Sequence, residues 1–147
     1  MSHGPLGEAG TIAVAAAVLA ALDEARLAEK AQTRFYRALA ALAEEAGDAT
    51  TAERLNGLHA DEQHHLSRLT ARLLELGHAV GGANPAPVEV RLHDWERIAR
   101  QRERAEIERY ERLLDANPDP RTREMIDHFL EAEHRHEAEL GGKWMSA

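Results

Sequence analysis

A chain of 147 residues without cysteine is long enough for one hydrophobic core, and it excludes thiolate metal sites, iron–sulfur clusters and redox disulfides. Any bound metal must therefore be held by His, Asp or Glu. The formal charge of −8, with Lys and Arg interspersed among the acids, argues against a nucleic-acid partner, which needs a basic face to displace counterions.

The apolar run from Ile12 to Leu22 is short of the ~20 residues that cross a bilayer. Glu8 precedes it and no Lys or Arg does, the wrong flank for a signal peptide. It reads as the first turns of a long helix from about Thr11 to Ala46, stopped by Gly47, in a cytoplasmic protein with no membrane partner. A second helix opens at Thr50, where Thr50-Thr51-Ala52-Glu53 has capping-box spacing, and closes before Gly77. The segment from His78 to His93, with Gly81, Gly82, Pro85 and Pro87, reads as a long connection. Asp94 is placed to cap a third helix, which runs to about Ala116 and breaks at Asn117-Pro118. Asp119 before Pro120 then forms an N-cap with proline at the first helical position, and the fourth helix continues to Gly141-Gly142.

Short, long and short connections predict an all-α fold over residues 11–141, a four-helix bundle with one long crossover between helices two and three. Residues 1–10 and 142–147 are left as tails. Two separate hairpins would leave each apolar stripe in water.

Helical periodicity predicts the buried stripes. Helix two presents Leu55, Leu58, Glu62, His65, Leu69, Leu73 and Leu76, and helix four presents Ile126, Phe129, Glu133, His136 and Leu140. Helix one contributes Leu22, Ala25, Glu29, Gln32, Tyr36 and Leu39, and helix three contributes Ala99, Glu103, Glu106, Tyr110 and Leu113. Every helix thus directs carboxylate into one interior, and buried carboxylates are costly unless neutralised. No Lys or Arg occupies a stripe position. Four glutamates are balanced by two divalent cations with neutral histidine ligands, and oxygen with imidazole suits iron or manganese better than calcium or structural zinc.

With nineteen glutamates and nine histidines in the chain, about one Glu-x-x-His pair arises by chance. Glu131 to His134 falls off the stripe and reads as a solvated pair. The stronger signal is an internal repeat: Glu29 and Tyr36 recur seventy-four residues on as Glu103 and Tyr110, and Glu62 and His65 recur seventy-one residues on as Glu133 and His136. His59, His64, His128 and His134 lie off the stripes and read as solvated; Trp95 and Trp144 read as packing at bundle ends.

Glu29 followed by Phe35-Tyr36, Glu62-Gln63-His64-His65, Glu103 with Tyr110, and Glu133-His134-Arg135-His136 together resemble the rubrerythrin branch of the ferritin-like superfamily. That resemblance implies a ferritin-like bundle holding two iron ions, with manganese or a mixed pair as alternatives. It implies that Glu62 and Glu133 bridge the ions, that Glu29 and Glu103 are terminal ligands, and that His65 and His136 each complete one ion. Glu106 matches the additional rubrerythrin glutamate that replaces a histidine, here His65, on one iron as the pair is oxidised. Shifting by seventy-four residues sets Gln32 opposite it, so only one half has this fifth carboxylate. Tyr36 and Tyr110 are core aromatics whose hydroxyls can bond ligand carboxylates.

The expected activity is reduction of hydrogen peroxide by a di-iron oxidoreductase, as a homodimer. The family's cysteine-bound rubredoxin iron is missing, so electrons must come from a separate donor protein or reductant. Ferroxidase or iron handling with dioxygen, and a non-enzymatic interaction bundle, remain as alternatives.

Overall fold

The computed structural model describes residues 5–82 and 86–142, with side chains from residue 15 onward. Trp144, Pro85 and the tail residues 1–4 and 143–147 lie outside them. The described chain forms four helices, α1 (Pro5–Glu45), α2 (Ala49–Glu75), α3 (Trp95–Asp115) and α4 (Pro120–Leu140). None is long and apolar enough to cross a membrane.

Helix α1 begins six residues before the expected Thr11, at Pro5. Proline fits a first helical turn, where its missing N–H has no partner to lose. Helix α2 is capped by Asp48 rather than by Thr50: Thr51 N donates to Asp48 Oδ1 at 3.1 Å and Thr51 Oγ1 donates to Oδ2 at 2.7 Å. The Asp94 cap is also corrected. Its backbone is left-handed, φ 60°, and its side chain makes no cap bond. In that conformation the carboxylate faces His93 at 3.4 Å and Arg97 at 3.9 Å. Asp119 behaves as expected, accepting from Thr122 N at 3.1 Å ahead of Pro120. Leu76 is 37% exposed, because α2 has ended at Glu75 and the stripe closes at Leu73.

Helix α1 packs on α2 and α3, and α4 packs on α3 and α2. Tyr36 bonds Glu103 while the earlier Glu29 bonds the later Tyr110, so α1 and α3 are antiparallel. Asp61 meets His136 while Arg72 meets Asp119, so α2 and α4 are antiparallel too. The interior is divided into two apolar clusters. One gathers Tyr36, Leu39, Leu55, Leu58, Trp95 and Leu140; the other gathers Leu22, Leu69, Leu73, Leu113, Ile126 and Phe129. Each fully buried leucine contributes about 2 kcal/mol from apolar burial. Between the clusters lies a polar layer.

Arg72 joins α2 to the start of α4, donating to Asp119 Oδ2 at 2.7 Å and to Thr122 Oγ1 at 3.0 Å. Asp119→Ala is therefore expected to destabilise the protein by about 1 to 2 kcal/mol, the usual cost of a lost N-cap. Asp94→Asn, at a position with no cap bond, is expected to leave stability unchanged. Denaturant unfolding of both variants checks the contrast, and equal losses would contradict it.

Candidate metal centre

Glu29 and Gln32 on α1, Glu62 and His65 on α2, Glu103 and Glu106 on α3, and Glu133 and His136 on α4 are all buried, none more than 4% exposed. Each pair is three residues apart, the spacing that sets two side chains on one helical face. Six of the seven metal-ligand candidates from the sequence, braced by Tyr36 and Tyr110, therefore meet in the layer between the apolar clusters; the seventh, Glu106, is buried beside Glu29 but joins neither group of converging ligand atoms. Glu131 and His134 are exposed, as are His64 and His128, while His59 is half-buried. The periodicity thus separates the inward Glu-x-x-His pairs from the outward one.

Two sets of ligand atoms converge, each within 4.8 Å of one another. One set is Glu29, Glu62, His65 and Glu133; the other is Glu62, Glu103, Glu133 and His136. Glu62 and Glu133 belong to both. His65 Nδ1 lies 3.5 Å from Glu133 Oε1 and 3.8 Å from both Glu29 Oε1 and Glu62 Oε2. His136 Nδ1 lies 3.2 Å from Glu62 Oε1, 3.4 Å from Glu133 Oε1 and 3.6 Å from Glu103 Oε1. The tyrosines brace the opposite helix of the α1–α3 pair. Tyr36 OH donates to Glu103 Oε1 at 2.6 Å, and Tyr110 OH donates to Glu29 Oε1 at 2.6 Å.

The layer's other atoms show what it can hold. Glu29 Oε2, Glu103 Oε2, both oxygens of Glu62 and Glu133, and Nδ1 of His65 and His136 are buried without a hydrogen-bond partner. A buried carboxylate oxygen without a partner is costly. Oxygen and nitrogen lone pairs aimed at common points are satisfied together by cations, so the donor set fits metal ions.

The same crowding shifts protonation. Burial, then the charge of Glu62, pushes Glu29 well above the carboxylate range. Burial with Glu133 raises Glu62, and burial with Glu103 raises Glu133. Glu106 is pushed up to about 10 by burial and by the adjoining Glu29, against the pull of Arg109, whose Nη1 donates to Glu106 Oε1 at 2.6 Å. Burial also acts to raise Glu103, but contacts with His136, Glu133 and Tyr36 outweigh it and hold Glu103 low. Burial, then the charge of His136, pushes His65 down to about 3, which leaves the neutral imidazole that a metal requires. For His136 the downward push of burial is outweighed by the hydrogen bond to Asp61 and by the facing carboxylates of Glu103, Glu133 and Glu62, and its affinity for a proton rises.

Three neighbours of the layer escaped the sequence reading. Asp61 Oδ2 lies 2.8 Å from His136 Nε2. Its side chain is 56% exposed, one residue off the stripe, so periodicity passes over it. Arg102 donates to Gln32 Oε1 at 2.7 Å, and Gln32 faces Glu103 Oε1 at 3.4 Å. Arg109, three residues after Glu106, was legible as an ion pair at helical spacing.

The metal-free protein should lose stability as pH rises. A folded-state pKa above the unfolded one means that the native state binds more protons, so its stabilisation is present at low pH and is lost as pH rises towards the folded value. Glu29, Glu62, Glu106, Glu133 and His136 all act in this direction. His65, lowered to about 3, acts oppositely, but only below its unfolded value of about 6.5. Melting of metal-stripped protein between pH 6.5 and 9 is expected to show a falling Tm, and saturating divalent metal should raise Tm by mass action. A flat Tm with no response to metal would contradict a buried carboxylate cluster. No protein-family model matches the chain, and no curated protein or solved structure was found to match it significantly.

Proposed function

We propose that the chain is a di-iron oxidoreductase, similar to the rubrerythrins and of ferritin-like arrangement, that reduces hydrogen peroxide to water. The observation that carries this reading is the pair of four-residue donor sets sharing Glu62 and Glu133. Glu29, Glu62, His65 and Glu133 would hold one ion, and Glu62, Glu103, Glu133 and His136 the other, with the shared glutamates as bridges. Mixed oxygen and imidazole donors without sulfur suit iron, with manganese the nearest substitute. The crossover is supported by what the long connection touches: Val80 packs on the cluster around Phe129, whereas Val88, Val90 and Leu92 pack on the cluster around Trp95.

An iron pair supplies the two electrons that, with two protons, convert one hydrogen peroxide into two waters. The chain's residues position that chemistry. Tyr36 and Tyr110 hold Glu103 and Glu29 by short hydrogen bonds, so the terminal carboxylates need not reorganise. Glu106 adjoins Glu29 and would offer a further carboxylate oxygen on the His65 side once it gives up its proton, the harder donor that a ferric ion prefers. Arg109 holds that carboxylate at 2.6 Å. With no cysteine in these 147 residues, the electrons come from a donor outside them.

One observation favours ferroxidase or iron handling as a second reading. A surface cavity of about 400 Å³ reaches His136 past Glu53, Asp61 and Glu139; these three carboxylates outnumber its one arginine, Arg54, which pairs with Glu96 at 2.9 Å, and make an approach suited to a cation. Anaerobic loading with ferrous iron, followed by stopped-flow oxidation with peroxide and with dioxygen, separates the two. Faster reaction with peroxide in a homodimer supports the peroxidase, and faster reaction with dioxygen in a closed shell supports iron handling.

Glu62→Ala and Glu133→Ala are each expected to lose both ions, because each removes an anionic ligand from both sets. Metal content after dialysis tests this, and two ions retained in either variant would refute the bridging assignment. Glu106→Gln should keep both ions yet slow oxidation by peroxide by at least about tenfold, roughly 1.4 kcal/mol of barrier. An unchanged peroxide rate with both ions bound would shift preference to ferroxidase.

A further inference from the structure

The donor residues obey the internal repeat, but the surroundings of the two histidines do not. His136 Nε2 lies 2.8 Å from Asp61 Oδ2. With that nitrogen donating to the carboxylate, the lone pair of Nδ1 is left facing Glu62, Glu133 and Glu103. The offset that carries His65 onto His136 carries Asp61 onto Ala132, a methyl that can accept nothing. His65 rests instead on Phe129, with ring centroids 4.3 Å apart and planes tilted by 32°. One imidazole is oriented by a charged hydrogen bond and the other by an apolar ring.

We propose that Asp61 is a positioning residue that makes the two metal positions inequivalent, so that the position at His136 binds its divalent ion more tightly and fills first. The proposal rests on the di-metal reading above. A carboxylate accepting from the far nitrogen of an imidazole locks its tautomer and raises the basicity of the ligating nitrogen. Loss of such a partner typically weakens metal binding 10- to 100-fold. Contact with Phe129 orients His65 without making it more basic. Glu106 adjoins Glu29 on the His65 side, but it belongs to neither donor set and its Oε1 is engaged by Arg109 at 2.6 Å, which offsets its attraction for a cation. Asp61 is the removable member of this arrangement: its side chain is 56% exposed and borders the surface cavity that reaches His136, so substitution leaves the apolar clusters intact.

Metal-free protein titrated anaerobically with divalent cobalt, followed by calorimetry and by the visible spectrum of the bound ion, tests the proposal. The unmodified chain is expected to bind two ions in two steps separated by about tenfold or more in affinity. Asp61→Ala should weaken the first step by about 10- to 100-fold and leave the second unchanged, so that the steps merge. Asp61→Asn, which keeps an acceptor oxygen without its charge, should fall between. Metal-free melting temperatures equal to that of the parent would show that both variants fold. Two equal affinities in the parent chain, an unchanged profile in Asp61→Ala, or equal weakening of both steps would overturn the role of Asp61 while leaving the di-metal reading standing. Failure to bind cobalt at either position would overturn the di-metal reading and this inference with it.

Discussion

The burial of carboxylate in a helical interior is the constraint on which the rest of the structure depends. Glu29, Glu62, Glu103 and Glu133 are each 0% exposed, and Glu106 is 4% exposed. Removing an ionised carboxylate from water costs several kcal/mol even after relaxation, and a domain of this size has only about 5 to 15 kcal/mol of net stability. Five such groups in one layer cannot all remain charged and uncompensated. Two responses are open to them: burial and mutual repulsion raise the proton affinity of Glu29, Glu62, Glu106 and Glu133, and unpartnered oxygens and imidazole nitrogens converge in two groups. The second makes the layer a candidate for metal rather than merely a polar defect.

The apolar clusters on either side serve that layer. Aliphatic and aromatic packing above and below it provides the stability against which the polar centre is a cost, and it keeps the donors buried. Nearby arginines are engaged without entering the donor sets: Arg102 with Gln32, Arg109 with Glu106, and Arg26 with Asp23 and the carbonyl of Gly81. Neutralisation of the four central glutamates is thereby left to protons or to metal ions.

Near-symmetry is the second organising feature. Tyr36 braces the glutamate of α3, and Tyr110 braces that of α1, at the same 2.6 Å. Each half thus stabilises a donor of the other, so neither hairpin completes the centre alone. The departures are confined to a few positions, Glu106 against Gln32 and Asp61 against Ala132. Both alter the chemistry beside a histidine or terminal glutamate without disturbing the shared bridge positions.

Much of this was legible in the sequence because helical geometry is a strong rule. Steps of three and four residues, read along a chain rich in helix formers, identify the buried face of each helix, and a Glu or His on that face is inward whatever its neighbours do. That rule alone distinguishes Glu133 and His136 from Glu131 and His134. It does not decide how helix ends are capped, because Asp48, Thr50 and Asp94 are all suitable by residue type, and only the backbone dihedrals select among them. Nor does it decide cross-helix partners. The crossing of Tyr36 to Glu103 and Tyr110 to Glu29, and the reach of half-exposed Asp61 to His136, depend on the relative height and direction of helices far apart in sequence. The sequence by itself determined which side chains face inward, through the period of the helix. Only the tertiary structure decided which of them meet, because the distance between two helices is set by packing and not by any local pattern.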